Sequence, residues 1–348
     1  MGAEDLGKRL LAEVQVEEVG LDEILSTLRL DDASTRSYFG LPTLDSLVQT
    51  AIDLRASTTK AQPTAPIIEL TSTSPASGKT HLLYHLTALA VLPTSLGGHQ
   101  ACVAIIDADN KFSIPRLAQH MARLCHSKTT SPEALQATIT TSLTHIHIFH
   151  PQSLPSTIAT VQSLQSYLFN ANRHHSFDRA VAFIALESAA AFYWQAKSDA
   201  EEASLHPSSA QPSGYVQLAG ALKNAGRILN TPILFTCWDM SSAKKGSSFG
   251  QDIRSYRSSL PPPWQTLPTL RLVVRRIPVR KLPVEIGVEE ALREGEMRQK
   301  VVELGRFECF VNEWGLDERS MQRFQANGGG FEFRIRGDGV HFDEEKDG

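Results

Sequence analysis

The sequence predicts an α/β fold: a mostly parallel central sheet flanked by helices, finished by antiparallel strands near the carboxyl end. Three observations carry this. From Ile67 to Trp238, short apolar runs alternate with helical patterns, as in βα units whose strands are buried on both faces. The first run leads into a turn of small residues, "TSTSPASGKT", and a helix starts where that turn ends. Beyond residue 269 the pattern changes to strands separated by tight turns.

In chain order, residues 1–37 read as a short helical segment, with Leu6, Leu10, Leu11 and Val14, then Leu21, Ile24, Leu25 and Leu28, at helical spacing. Residues 38–348 read as the core. Within it, 54–65 is polar and Pro-containing and reads as a linker or insertion. The units follow: "PIIEL" with a helix near 79–92, "ACVAIID" with one near 115–125, "HIHIF" with one near 155–172, "AVAFIAL" with one near 215–229, then "PILFTCW". Residues 196–213 and 241–263 read as long flexible loops at strand carboxyl ends, where open α/β sheets place ligands. The strands "TLRLVVRRIPV", "FECFV" and "FEFRIR" are expected to extend the sheet antiparallel, with a charged helical insertion at 283–303 between the first two.

Composition narrows the function. A hydrophobic content of 41% supports a sizeable core, and a formal net charge of −4 excludes a polycationic nucleic-acid coat. The four cysteines form no CxxC pair, which points to reduced thiols rather than a disulfide framework or zinc site. The amino-terminal stretch is too charged for a signal peptide, and no apolar run approaches ~20 residues, so no membrane partner is expected.

The turn carries the chemistry. In a loop of this kind, backbone N–H groups and the helix start wrap phosphates. Thr73, Ser74, Pro75, Ala76, Ser77 and Gly78 would form it, with Lys79 reaching the terminal phosphates and Thr80 holding Mg²⁺. Thr73 stands where the opening glycine belongs, and a Cβ there or at Ala76 crowds the loop or restricts positive φ. Glu187 ends a buried strand where such folds orient Mg²⁺; the alternative is an acid that caps the next turn. Asp107 and Asp109 follow another strand, and one of them could position an attacking water; the alternative is a turn-forming pair. His145, His147 and His150 alternate along one strand with no acid or cysteine converging on them, so exposed-face histidines are expected.

"ASGKTHLLYHLTA", "IIDADNKF" and "LESAAAFYW", in this order and spacing, resemble the RecA-type recombinase paralogue family. "YFGLPTLDSLV", "WQTL" and the closing "GDGVHF" extend the resemblance over roughly residues 38–342. The resemblance implies a RecA-like P-loop core binding ATP and Mg²⁺. It places Lys79 and Thr80 at the nucleotide pair, Glu187 at the Mg²⁺-orienting acid, Asp109 at the water-polarising position and Asp239 at the terminal-phosphate sensor. It also implies DNA contact by the loop holding Lys244, Lys245, Arg254 and Arg257, whose bland alternative is a solvated surface. Thr73, Asp109, Glu187 and Asp239 all depart from the active pattern, and misplacing a catalytic group by ~1 Å can cost ~100-fold.

The implied role is a nuclear, nucleotide-binding interaction subunit in homologous-recombination DNA repair. It would join other recombinase paralogues, assist recombinase loading on single-stranded or branched DNA, and hydrolyse little or no ATP. The alternative is an active DNA-dependent P-loop ATPase that remodels DNA or a protein–DNA complex. A small-molecule kinase is a third option, and the absence of an Arg-rich lid segment speaks against it.

Overall fold

The computed structural model describes residues 37–58, 65–126, 131–204, 213–238, 254–258, 260–277, 279 and 286–342. The chain divides into two compact units, Met1–Ser37 and Tyr38–Gly348, and the description concerns the second. The helices expected over 1–36 lie outside the described residues, as do Asp239, Lys244 and Lys245.

One nine-stranded sheet organises the unit. Its strands are β1 (Ile67–Thr71), β2 (Cys102–Asp107), β3 (Ile146–Phe149), β4 (Val181–Glu187), β5 (Ile233–Thr236), β6 (Leu270–Arg276), β7 (Arg306–Val311), β8 (Gly330–Ile335) and β9 (Val340–His341), in the order β3-β2-β4-β5-β1-β6-β7-β8-β9. Pairing is parallel from β3 through β6 and antiparallel from β6 to β9. β6 was expected to be antiparallel; it pairs parallel with β1, with Ile68 opposite Leu270, and lies inside the sheet. β1 and β2 are buried along their whole length, which explains their near-continuous apolar sequences.

Helices cover both faces. On one face lie α1 (Pro42–Thr58), α2 (Lys79–Val91), α3 (Ile114–His126) and α4 (Pro132–Leu143), packed over Leu70, Val103 and Leu272. On the other lie α5 (Leu154–Leu168) and α7 (Gly214–Leu229), packed with Trp264 over Ile106, Ile184 and Phe235. Burying side chains of this size contributes roughly 1.5–3 kcal/mol each, and the two apolar layers hold the strand ends in fixed register.

Several expectations are corrected. Residues 54–58 are the last turns of α1, not a linker: Leu44, Leu47, Val48 and Ala51 form a buried stripe at helical spacing, and the helix runs on past it. Residues 196–204 belong to helix α6 (Tyr193–Ser204), supported by helix-forming residues and the Lys197–Glu201 pair at 3.9 Å. α4 and α9 (Glu318–Ala326) were not anticipated; both are polar helices with side-chain caps from Ser131 and Asp317. His145 and His147 are buried, not exposed, and both meet the Ser176 hydroxyl, at 2.9 and 3.0 Å. The charged helix is α8 (Val288–Glu303), which has no buried residue and exposes Leu292, Met297 and Val301.

Candidate functional site

β1 delivers the chain to the carboxyl edge of the sheet, and α2 carries it back. Gly78 caps α2 at φ 96°, and no side chain caps the helix start. The left-handed backbone requires glycine here. Space requires it too: a Cβ would lie 3.0 Å from Phe307 on β7 and from Ile335 on β8. Ala76 also adopts positive φ, 54°, whereas Thr73 does not, so of the two crowding positions expected only Ala76 bears backbone strain. Ser74 and Pro75 are exposed at the tip, and the Ser72 hydroxyl donates to the Ser74 carbonyl at 3.0 Å.

The Lys79 ammonium donates to the hydroxyls of Ser72 and Ser77. Burial lowers its pKa, opposed by the charges of Glu187 and Asp109. The Thr80 hydroxyl donates to Glu187 Oε1 at 2.6 Å. Glu187 ends β4 beside Thr236, which ends β5 and donates to Glu187 Oε2 at 2.9 Å. Burial raises the Glu187 pKa, and the two hydroxyl bonds oppose the rise.

The Asp107–Asp109 pair divides. Asp107 is buried and accepts from the Lys111 and Phe112 N–H groups, at 3.1 and 2.8 Å, so it anchors a turn. Asp109 faces the cleft. Its Oδ2 accepts from Ser188 and from the Lys111 ammonium, each at 2.7 Å, and its Oδ1 is buried with no partner among the described residues. Lys79, Thr80, Asp109 and Glu187 thus line one cleft of about 640 Å³, with Trp194 and Trp238 half to mostly exposed along it. Ser77 was among the expected loop residues; the sequence reading missed Ser72, Ser188 and Thr236, the hydroxyls that hold Lys79, Asp109 and Glu187. Hydroxyl residues at strand ends were their only signal.

The remaining candidates lie elsewhere. Arg254 and Arg257 are exposed, and neither lines the cleft. Arg254 lies over the Phe310 ring at 5.1 Å, and Arg257 reaches Gln265 at 3.5 Å. Their segment is fixed by Asn312, which exchanges hydrogen bonds with the Tyr256 backbone. Two arginines of β6 are engaged in the sheet: Arg271 pairs with buried Glu69 at 2.9 Å, and Arg275 with Glu308 at 2.5 Å. The Glu69 carboxyl is pushed up to about 7 by burial, against the pull of Arg271.

The residues present fit a nucleotide with a hard cation. The helix start lacks a cap, Lys79 supplies a cation, and Thr80 and Glu187 supply adjacent oxygens. Mg²⁺ characteristically takes one or two protein oxygens and completes its shell with phosphate and water. Among the described residues, no cluster of three or more His, Cys, Asp or Glu is placed to hold a metal.

Sheet order, layers and cleft define an α/β protein with a RecA-like core. The chain is similar to the DNA repair protein XRCC2 of Mus musculus, with 32% identity over 119 residues, a match that covers 34% of this chain and 38% of that protein. The match supports a relationship to the RecA paralogues. No family model matches the chain. Among the described residues, no helix is long and apolar enough to cross a membrane.

Proposed function

We propose that the chain is a nuclear recombinase paralogue acting in homologous-recombination DNA repair. It binds ATP with Mg²⁺ in the cleft as an interaction subunit, joins other paralogues, and assists recombinase loading on single-stranded or branched DNA. Turnover is weak or absent. The observation that carries this reading is the convergence of Lys79, Thr80 and Glu187 on one cleft in a chain similar to a DNA repair protein.

Bound Mg²⁺ would supply charge neutralisation at the phosphates. Lys79 would leave Ser72 and Ser77 to pair with phosphate, and Thr80 and Glu187 would hold the cation. Weak turnover follows from Asp109. Its carboxylate is short for the role, and one oxygen is already held by Lys111 and Ser188. The partnerless Oδ1 is the observation that favours the rival, an active ATPase, because it could accept a proton from water.

Lys79→Ala separates the two. Its expected effect is a loss of about tenfold or more in ATP affinity, with no change in an already negligible turnover and with paralogue assembly retained. Turnover of about 1 s⁻¹ or faster in the parent chain, collapsing in the variant, overturns the interaction-subunit reading. Calorimetric binding and phosphate release, each with and without candidate paralogues, provide the two readouts.

A further inference from the structure

A second concave site lies at the opposite end of the sheet. It opens at the start of β1 and just before β6, with α7 as one wall and the end of α1 as another, and encloses about 450 Å³. Its floor is apolar, with Ile67 and Leu267. Three cationic side chains line it, Arg55 from α1 and Lys223 and Arg227 from α7, and among the described residues no carboxylate does. In a chain of net charge −4 this is a local reversal of sign.

The cations are held in different ways. Arg55 donates to the Thr269 hydroxyl oxygen at 3.0 Å, and Arg227 donates to Asn224 at 3.1 Å. Lys223 has no partner among the described residues. Thr269 already accepts from Arg55 and from the Ile67 N–H at 3.2 Å, so its proton is left to donate. Arg227 and Arg55 also complement the carboxyl-terminal dipoles of α7 and α1, but Lys223 has no such role. At Gly220 the α7 wall faces open space, where a Cβ would meet nothing within 4 Å.

We propose that this pocket is a phosphate site that takes one phosphate of a single nucleic-acid strand. Lys223, Arg227 and Arg55 supply charge, and Thr269 supplies a hydroxyl donor. The strand would pass the edge of the sheet opposite the Gly78–Thr80 cleft, so the proposal stands independently of nucleotide binding there.

The test is anisotropy of a fluorescein-labelled thymidine oligonucleotide titrated with the full chain across a salt series. The double variant Lys223→Gln/Arg227→Gln removes two exposed charges, and unchanged thermal unfolding will confirm that it folds. The variant is expected to bind at least roughly tenfold more weakly at low salt. Its slope of log affinity against log salt should be shallower by about 1.4, or ~0.7 per lost cation contact on a single strand. Lys79→Ala should leave both quantities unchanged. Equal affinity and slope in parent and double variant overturn the proposal, as does a parent chain that does not bind the strand. Competition with inorganic phosphate and with a mononucleotide distinguishes the source. If the double variant loses mononucleotide binding but keeps the strand, the site belongs to a free nucleotide and the strand assignment falls.

Discussion

The cleft and the α2–α3 interface lie on the same helix and treat buried polar groups in opposite ways. In the cleft nearly every polar group has a partner: Thr80 and Thr236 clamp Glu187, while Ser188 and Lys111 hold Asp109. Further along α2, His81 and His85 face His120 and Arg123 of α3, and His81 Nδ1, His85 Nδ1 and Arg123 Nε are buried with no partner among the described residues. His120 is fully buried, neither ring nitrogen has a partner among the described residues, and the ring stacks on His81 at 5.7 Å. The residues on either side of β9 lie against these helices: Arg116 donates to the Gly337 and Arg336 carbonyls, and Phe342 packs on His85. Satisfied polar groups at an open edge can exchange their partners for a ligand. Unsatisfied ones under a lid stay neutral, and they make the fold sensitive to acid.

The largest expected effect is therefore a loss of stability in acid. Burial pushes His85 and His120 down to about 3, and nearby Arg123 adds to this; Arg116, His81 and His85 also press on His120. Their contribution is complete above the ordinary histidine pKa near 6.5 and is lost as pH falls from there toward 3. Each unit in that window removes up to about 1.4 kcal/mol per histidine. Glu69 works in the other direction. Its folded value of about 7 gives stability that is full below about 4.5 and fades as pH rises through 7. Urea unfolding at pH 7.5 and pH 5 should show net loss in acid, and His120→Leu should flatten the difference. An unchanged slope in that variant would remove the cluster's claim to acid sensitivity.

Gly78→Ala sharpens the comparison from the cleft side. Left-handed backbone costs a residue with a Cβ about 1–2 kcal/mol, and contact with Phe307 and Ile335 adds to it. A drop of at least about 2 kcal/mol is expected, measured by the same unfolding assay. A drop under half of that would mean that β7 and β8 yield to the loop.

The smallest effect is a gain. Ala76 is exposed and holds φ 54°, so Ala76→Gly relieves strain, less the entropy that glycine loses on folding. A gain of up to about 1 kcal/mol is expected. A loss would show that the loop tip is unstrained.

Much of the architecture was legible in the residues. Buried parallel strands need unbroken apolar runs, so β1, β2 and β4 announced themselves, Gly78 and Lys79 marked the start of α2, and Glu187 the end of β4. Tertiary context hid the rest. Residues 54–58 look like a linker because the stripe that makes them helical lies upstream, in Leu44 to Ala51. β6 looked like part of the terminal antiparallel set, yet its parallel pairing with β1 sets Glu69 across the ladder from Arg271. The link from Thr236 to Glu187 depends on β4–β5 register, which no local pattern encodes. His81 and His85 did carry a signal, since four-residue spacing puts both on one helix face, and only His120 on another helix gives that face its meaning.

Helix α8 has a practical consequence. It leaves the sheet after β6 and returns to β7, and across that gap Arg276 already stands opposite Phe307 in an antiparallel ladder. A two-residue hairpin turn could close the same ladder. Excising the helix would remove Leu292, Met297 and Val301 from water with little change in the core, and the shortened protein should concentrate further before precipitating.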